Sequence, residues 1–273
     1  MPEGDTLVRT AAGLRPFLVG QTVTAASARP PGPRVERIVG ARVDAVEAAG
    51  KNLLIRFDNG LEVRTHLRMH GTWHRYRPGE RWHRAASRAR LVIEVPGTVA
   101  VCFDAPVVEL FEQRTEGLHP SLSRLGPDLM RDPFDATEAM RRLRDPTNSN
   151  RAIAETLLDQ RVLAGIGNEV RNEVLWEARV SPWTPTGDVA DAALRELVDR
   201  ARSMLRAGAA TGRRPRRIYR RSGRPCPRCG TILRVAHQGR DLPRLTFWCP
   251  TCQPAPAFMA EPPLRGEARP ETM

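Results

Sequence analysis

RAIAETLLDQ (151–160), RVLAGIG (161–167) and NEVRNEVLWEA (168–178) read as two helical segments joined by a tight glycine turn. Gly165 and Gly167 supply the backbone freedom such a turn needs. Asn168 follows them where a helix N-cap belongs, and its amide can serve either as a cap or as a donor to an outside oxyanion. The first N–H groups of a helix have no partner within it, so a helix start after a glycine turn can hold a phosphate. A plain capping asparagine is the alternative. Working outward, the chain is helical in texture from Pro120 on, for about 85 residues after a Leu125-Gly126-Pro127-Asp128 linker, with breaks at Asp145-Pro146, Ala164–Gly167 and Ser181-Pro182.

Upstream the texture is different. Residues 5–20 have the apolar spacing of one helix, and the breaker Ala28-Arg29-Pro30-Pro31-Gly32-Pro33 ends that region. Val43 to Val46, Leu53 to Phe57, Leu61 to Thr65, Leu91 to Val95 and Val99 to Phe103 read as strands, with Asp58-Asn59-Gly60 as a hairpin turn. A β-sandwich is the simplest way to bury them. Cys102 lies in one of these strands, as a buried small hydrophobe.

Downstream, the basic stretch Arg213–Arg217 leads to Cys226-x2-Cys229 and Cys249-x2-Cys252, separated by 19 residues. That spacing suits two knuckles closing on one tetrahedral ion, and four thiolates favour Zn²⁺ over hard cations. Thr231 to Val235 and Leu245 to Trp248 alternate as two strands of a hairpin between the knuckles. We expect one structural Zn²⁺, held by Cys226, Cys229, Cys249 and Cys252. The Pro-, Ala- and Glu-rich residues after Cys252 read as a disordered tail. The expected fold is α+β and multidomain: an N-terminal β-sandwich with an N-terminal helix (1–118), a linker (119–130), a helical domain (131–212), a zinc ribbon (213–252) and the tail (253–273).

The net charge of +12 and a pI near 10.9 imply a positive field that favours a polyanion such as DNA. No apolar run is long enough to span a membrane, and we expect no membrane partner. Met1-Pro2-Glu3-Gly4-Asp5-Thr6 opens without a basic, apolar leader, so we expect a cytoplasmic protein, associated with the nucleoid if bacterial. Removal of Met1 would leave a secondary amine at Pro2, beside the Glu3 carboxyl. Attack by that amine on a sugar C1′ gives an iminium, a cationic electron sink for elimination. Lys51 is the only lysine; every other cationic position among the 43 Lys+Arg is arginine. Arginine holds its proton at neutral pH, whereas a lysine ammonium can give its proton up. The alternative is a surface lysine left by an Arg-biased composition.

These residues resemble a known family. PEGDT at the start, Ala49-Gly50-Lys51-Asn52-Leu53-Leu54, His66-Leu67-Arg68-Met69-His70-Gly71, Leu163-Ala164-Gly165-Ile166-Gly167-Asn168 and a four-cysteine ribbon stand in the order seen in the formamidopyrimidine-DNA glycosylase and endonuclease VIII family, over residues 1 to about 252. The PEG start is more similar to the endonuclease VIII branch than to the PELPE of the other. Asp5 departs from the PEGPE of the best-known members, so the lesion preference stays open.

The resemblance implies a bifunctional DNA glycosylase and AP lyase of base excision repair, excising oxidised bases, pyrimidines favoured, and nicking by β,δ-elimination. Pro2 is the implied nucleophile, Glu3 the group that protonates the sugar ring oxygen or relays protons, and Lys51 a general acid near the opened sugar and 5′ phosphate. The 151–178 segment becomes the helix-two-turn-helix element with Asn168 on a phosphate. Met69, flanked by Arg68 and His70, becomes the apolar wedge that fills the hole left by an extruded base. Arg124 matches a DNA-contacting position, and Arg244 the ribbon arginine, with Arg240 competing. Damaged DNA is the expected partner of a monomer that needs no small-molecule cofactor. Two rivals remain: a purine-preferring formamidopyrimidine glycosylase, and a zinc-ribbon damage-binding protein without chemistry, for which Pro2, Glu3 and Lys51 have no use.

Overall fold

A computed structural model describes residues 2–239 and 243–256. The chain divides into two compact units, Met1–Leu125 and Gly126–Met273, which part within the segment read as a linker.

The first unit opens with helix α1 (Gly4–Leu18), whose Leu7, Ala11, Leu14 and Leu18 form one buried stripe. Two antiparallel four-stranded sheets follow, ordered β1-β6-β7-β5 and β2-β3-β4-β8. The first holds β1 (Ala25–Ala28), β5 (Thr72–Tyr76), β6 (Ala89–Val95) and β7 (Thr98–Phe103). The second holds β2 (Val43–Ala49), β3 (Asn52–Phe57), β4 (Leu61–His66) and β8 (Val107–Glu112). A common core takes the α1 stripe together with Leu53, Ile55 and Val63 from one sheet and Leu91, Ile93 and Cys102 from the other. Burial pushes the Cys102 thiol far above its ordinary pKa, so it acts as a hydrophobe.

In the second unit, α2 (Ala136–Leu143), α3 (Ile153–Thr156), α4 (Asn168–Glu177) and α5 (Asp191–Thr211) share a core that includes Leu157, Ile166, Val174 and Leu197. The first helix of the expected pair is shorter than the reading of 151–160. After Thr156 the chain tightens into i→i−3 bonds, Leu158 to Glu155 and Asp159 to Thr156, and the Asp159 carboxylate then takes the N–H of Arg161. Gln160 stitches the glycine turn: its amide donates to the Ile166 carbonyl at 3.0 Å and accepts from the Gly165 N–H at 3.1 Å. Gly126 lies so close to this turn that a Cβ would meet the Val162 carbonyl oxygen at 2.4 Å.

The ribbon hairpin pairs β9 (Arg234–Gln238) with β10 (Arg244–Trp248). The first strand therefore starts three residues later than 231–235, because Cys226 N–H bonds Thr231 C=O and the Pro225–Ile232 bridge hold that stretch in the knuckle. Nor is the basic stretch a solvated linker. Arg214 and Arg216 pair with the buried Glu169 carboxylate, and Glu173 accepts the N–H groups of Arg217, Ile218 and Tyr219. Ordered structure runs past Cys252: Gln253 is fully buried, accepting from Cys249 N–H and donating to the Val180 carbonyl. The rest of the expected tail, from 257, lies outside the described residues, as does Arg240.

Candidate active site and nucleic-acid interface

Pro2, Glu3, Lys51 and the Arg68–His70 turn lie toward one end of the sandwich. Glu3, fully buried, is the N-cap residue of α1, and half-buried Pro2 precedes it at the positive pole of the helix. Helix α1 runs antiparallel to β2: Gly20 N–H bonds the Val43 carbonyl, and the Arg15 guanidinium donates to the Val46 carbonyl at 2.9 Å. From Arg15 back to Gly4 the helix covers about 16 Å at 1.5 Å per residue. From Val46 forward the strand runs about 10 Å to its end at Ala49, at 3.3 Å per residue, and the Gly50-Lys51 turn closes the hairpin beyond it. The α1 N-terminus and the tip of the β2–β3 hairpin, where Lys51 sits, therefore point toward the same end of the sandwich.

β4 finishes toward that end too, since Asn52 pairs with His66. The chain then makes a tight turn from Leu67 to Gly71, closed by the Gly71 N–H to the Leu67 carbonyl at 2.9 Å. A Cβ on Gly71 would lie 2.6 Å from that oxygen, so glycine is required. The turn lifts Arg68, Met69 and His70 into solvent, with Arg68 at φ 45° and Met69 45% exposed. Leu67 points inward, 2% exposed. An exposed methionine on a glycine-closed turn is not a core residue, and its shape suits a wedge.

His66 is the residue that sequence reasoning passed over, although it opens the motif containing Met69. Its pKa is lowered to about 4 by burial first and then by the charges of Arg64, Lys51 and Arg68. The neutral ring accepts the Arg68 N–H at Nδ1, 3.2 Å away, which leaves its proton on Nε2. A folded pKa below the ordinary value of 6.5 means that the unfolded chain takes up a proton first as pH falls. The stability His66 contributes is complete above about pH 6.5 and is lost toward pH 4. We expect NMR of the free protein to show no titration of this ring between pH 6 and 8.

The second unit carries further sequence-predicted residues of its own. The N-cap of α4 is Gly167, not Asn168; Asn168 is the first helical residue, 6% exposed, and its Nδ2 donates to the Leu245 carbonyl of β10 at 3.0 Å. Asn172 accepts the Phe247 N–H at 2.7 Å, and buried Arg171 donates to Thr246 Oγ1 at 2.7 Å. These bonds tie α4 to the ribbon strand that begins at exposed Arg244. Arg124, in the first unit, is exposed in the turn before Leu125.

The ligand sulfurs of Cys226, Cys229, Cys249 and Cys252 all lie within 4.8 Å of one another. A tetrahedral ion with Zn–S bonds of about 2.3 Å needs sulfurs about 3.8 Å apart. The cluster is therefore consistent in geometry with a structural zinc site, packed on its inner side against Trp176, Ile218 and Phe247 and exposed at Cys229. Arg228, inside the first knuckle, donates to the Trp176 carbonyl at 2.9 Å and stacks over its ring, so the knuckle is also fastened to α4. We expect one zinc per purified chain and loss of DNA binding in Cys226→Ala or Cys249→Ala, because an unanchored hairpin cannot hold Arg244 in place. Active protein without zinc would contradict this.

Two family models match: the formamidopyrimidine-DNA glycosylase N-terminal domain over residues 1–106 and the formamidopyrimidine-DNA glycosylase H2TH domain over 125–218. A probable endonuclease 8 2 of Streptomyces coelicolor is 40% identical over 271 residues, covering 94% of this chain and 95% of its own. The chain belongs to the formamidopyrimidine-DNA glycosylase and endonuclease VIII family. Within that family it stands nearer the endonuclease VIII branch, as the 39% identity to endonuclease 8 2 of Mycobacterium bovis also indicates, over 93% of this chain and 100% of that one. The DNA-(apurinic or apyrimidinic site) lyase Nei2 of Mycolicibacterium smegmatis is 37% identical over 93% of this chain and all of its own. The fold is that of the Lactococcus lactis Fpg solved with N7-benzyl-Fapy-dG DNA, at a TM-score of 0.80 and 22% identity over 93% of this chain and 100% of that one. In this family frame the α3–α4 pair is the H2TH element, and the first unit is the N-terminal domain.

Proposed function

We propose that the protein is a bifunctional DNA glycosylase and AP lyase that excises oxidised bases, with pyrimidines preferred. The observation that carries this reading is the gathering of Pro2, Glu3, Lys51 and the Met69 turn at one end of the sandwich in a chain of this family. A binder without chemistry has no need of that set.

In the reaction, the neutral Pro2 nitrogen attacks C1′ of an extruded nucleotide and the base leaves with a proton. Glu3, fixed at the helix start, passes a proton to the sugar ring oxygen as it opens. The resulting iminium withdraws electrons from the sugar, so elimination expels the 3′ phosphate and then the 5′ phosphate. In this reading the Lys51 ammonium donates to the opened sugar and stays close to phosphate. Neutral His66 presents Nε2–H as a further donor at the same end. Asn168, Arg124, Arg68, His70 and Arg244 are the proposed contacts to the DNA. Zinc, when bound, supplies no reacting group; its four thiolates hold the ribbon.

Damaged DNA is the partner of this reading. We also take the protein to act as a monomer in the cytoplasm, at the nucleoid if bacterial, and without a small-molecule cofactor. Among the described residues no helix is long and apolar enough to cross a membrane.

Excision from duplexes carrying an oxidised pyrimidine, 8-oxoguanine or an abasic site tests the substrate assignment. Faster release of the pyrimidine supports it, and faster release of 8-oxoguanine makes the protein a purine-preferring glycosylase instead. On the same substrates Met69→Ala should impair excision of the paired lesion far more than cleavage at the abasic site, where no base has to be driven out. Equal losses on both would make Met69 a general DNA contact and not the wedge.

A further inference from the structure

The hairpin that carries Lys51 is fastened from behind by a polar chain on the outer face of its sheet, buried at Asn52 and Arg64 and open to solvent at Glu109. Gly50 supplies the positive φ, 57°, that a two-residue hairpin loop needs at its first central position. Asn52 closes the loop, its Nδ2 donating across it to the Ala49 carbonyl at 2.9 Å. The same amide accepts from Arg64 Nε through Oδ1 at 2.9 Å. Arg64 bonds Glu109 at 2.5 Å, and Glu109 meets His119 Nε2 at 3.1 Å. Asn52 and Arg64 are 3% and 5% exposed, with Leu54 beside them at 1%.

Removing a guanidinium from water is costly, and an apolar side chain would fill this position next to Leu54 at no such cost. The charge is retained on a route that leads from β8 through β4 to the two residues before and after the Gly50-Lys51 loop. Arg64 also lies close enough to help keep His66 neutral.

We propose that Asn52 and Arg64, backed by Glu109 and His119, are positioning residues that hold the Lys51 hairpin in its reacting placement. The proposal rests on the reading of Lys51 as a reacting group. Its logic is geometric: a short loop with one anchoring amide can swing, whereas an amide gripped on both faces cannot, and small misplacements of a reacting group cost large factors in rate.

The test is a double-mutant cycle with Arg64→Met and Lys51→Ala, read by single-turnover excision of an oxidised pyrimidine and by DNA Kd at one fixed salt. Arg64→Met alone should lower the rate roughly 10-fold or more with little change in Kd. In the Lys51→Ala background it should cost nothing further, because the group it places is gone. Arg64→Lys should recover part of the rate by restoring a donor to Asn52 Oδ1. Should Arg64→Met fold poorly, Asn52→Ala enters the same cycle, since it removes both grips on the loop while leaving the Arg64–Glu109 pair. Losses of equal size in both backgrounds, or a parental rate in Arg64→Met and Asn52→Ala, overturn the positioning role alone. A parental rate in Lys51→Ala overturns it together with the reading of Lys51.

Discussion

Lys51→Arg is expected to lower single-turnover excision by ~10²-fold or more while DNA affinity at fixed salt changes little. The substitution keeps a cation at the hairpin tip and its attraction to phosphate, and it removes a group that can give up its proton. Lys51→Ala should lose both rate and affinity. The sharpness of the expectation comes from the sequence itself, in which arginine serves at all other cationic positions. If charge alone were wanted, arginine would do here as well. A Lys51→Arg enzyme with the parental rate would leave Lys51 as an electrostatic contact.

Chains that keep Met1 should be inactive in both excision and nicking. In a Met1-Pro2 bond the Pro2 nitrogen is an amide, its lone pair is delocalised, and it cannot attack C1′. Intact-mass spectrometry separates processed from unprocessed chains, and each fraction can be assayed on the same abasic duplex. Equal nicking by the two fractions would remove Pro2 from the mechanism.

The parts of the fold that were legible in the sequence are those whose signal is local. β-branched runs around Asp58-Asn59-Gly60 marked the β3–β4 hairpin, and paired Cys-x2-Cys knuckles marked the ribbon. β1 escaped because Ala25–Ala28 is made of small residues with no strand preference, and it pairs only because β6 offers an edge. β8 was hidden behind Pro106 and carries charges at Glu109 and Glu112 that pair outside the core. The ribbon strand slipped because alternation at 231–235 does not reveal that Thr231 is held back by Cys226.

The candidate site divides along the same line. Pro2, Lys51 and Met69 announce themselves by position, rarity or motif. Asn168 was visible, but its bond to Leu245 was not, since that bond joins residues that only the tertiary fold brings together. The same holds for Arg64 and Asn52, whose meeting depends on strand register. His66 could have been found, because it opens the same run, His66-Leu67-Arg68-Met69-His70-Gly71, that singled out Met69.

The central claim is that the second residue of the chain becomes covalently bound to damaged DNA. Borohydride reduction during reaction with an oxidised-pyrimidine duplex, followed by proteolysis and mass mapping of the DNA-bearing peptide, tests it directly. The account predicts a reduced adduct on an N-terminal peptide beginning at Pro2. An adduct on the peptide containing Lys51, or excision that proceeds with no trapped species, would contradict it.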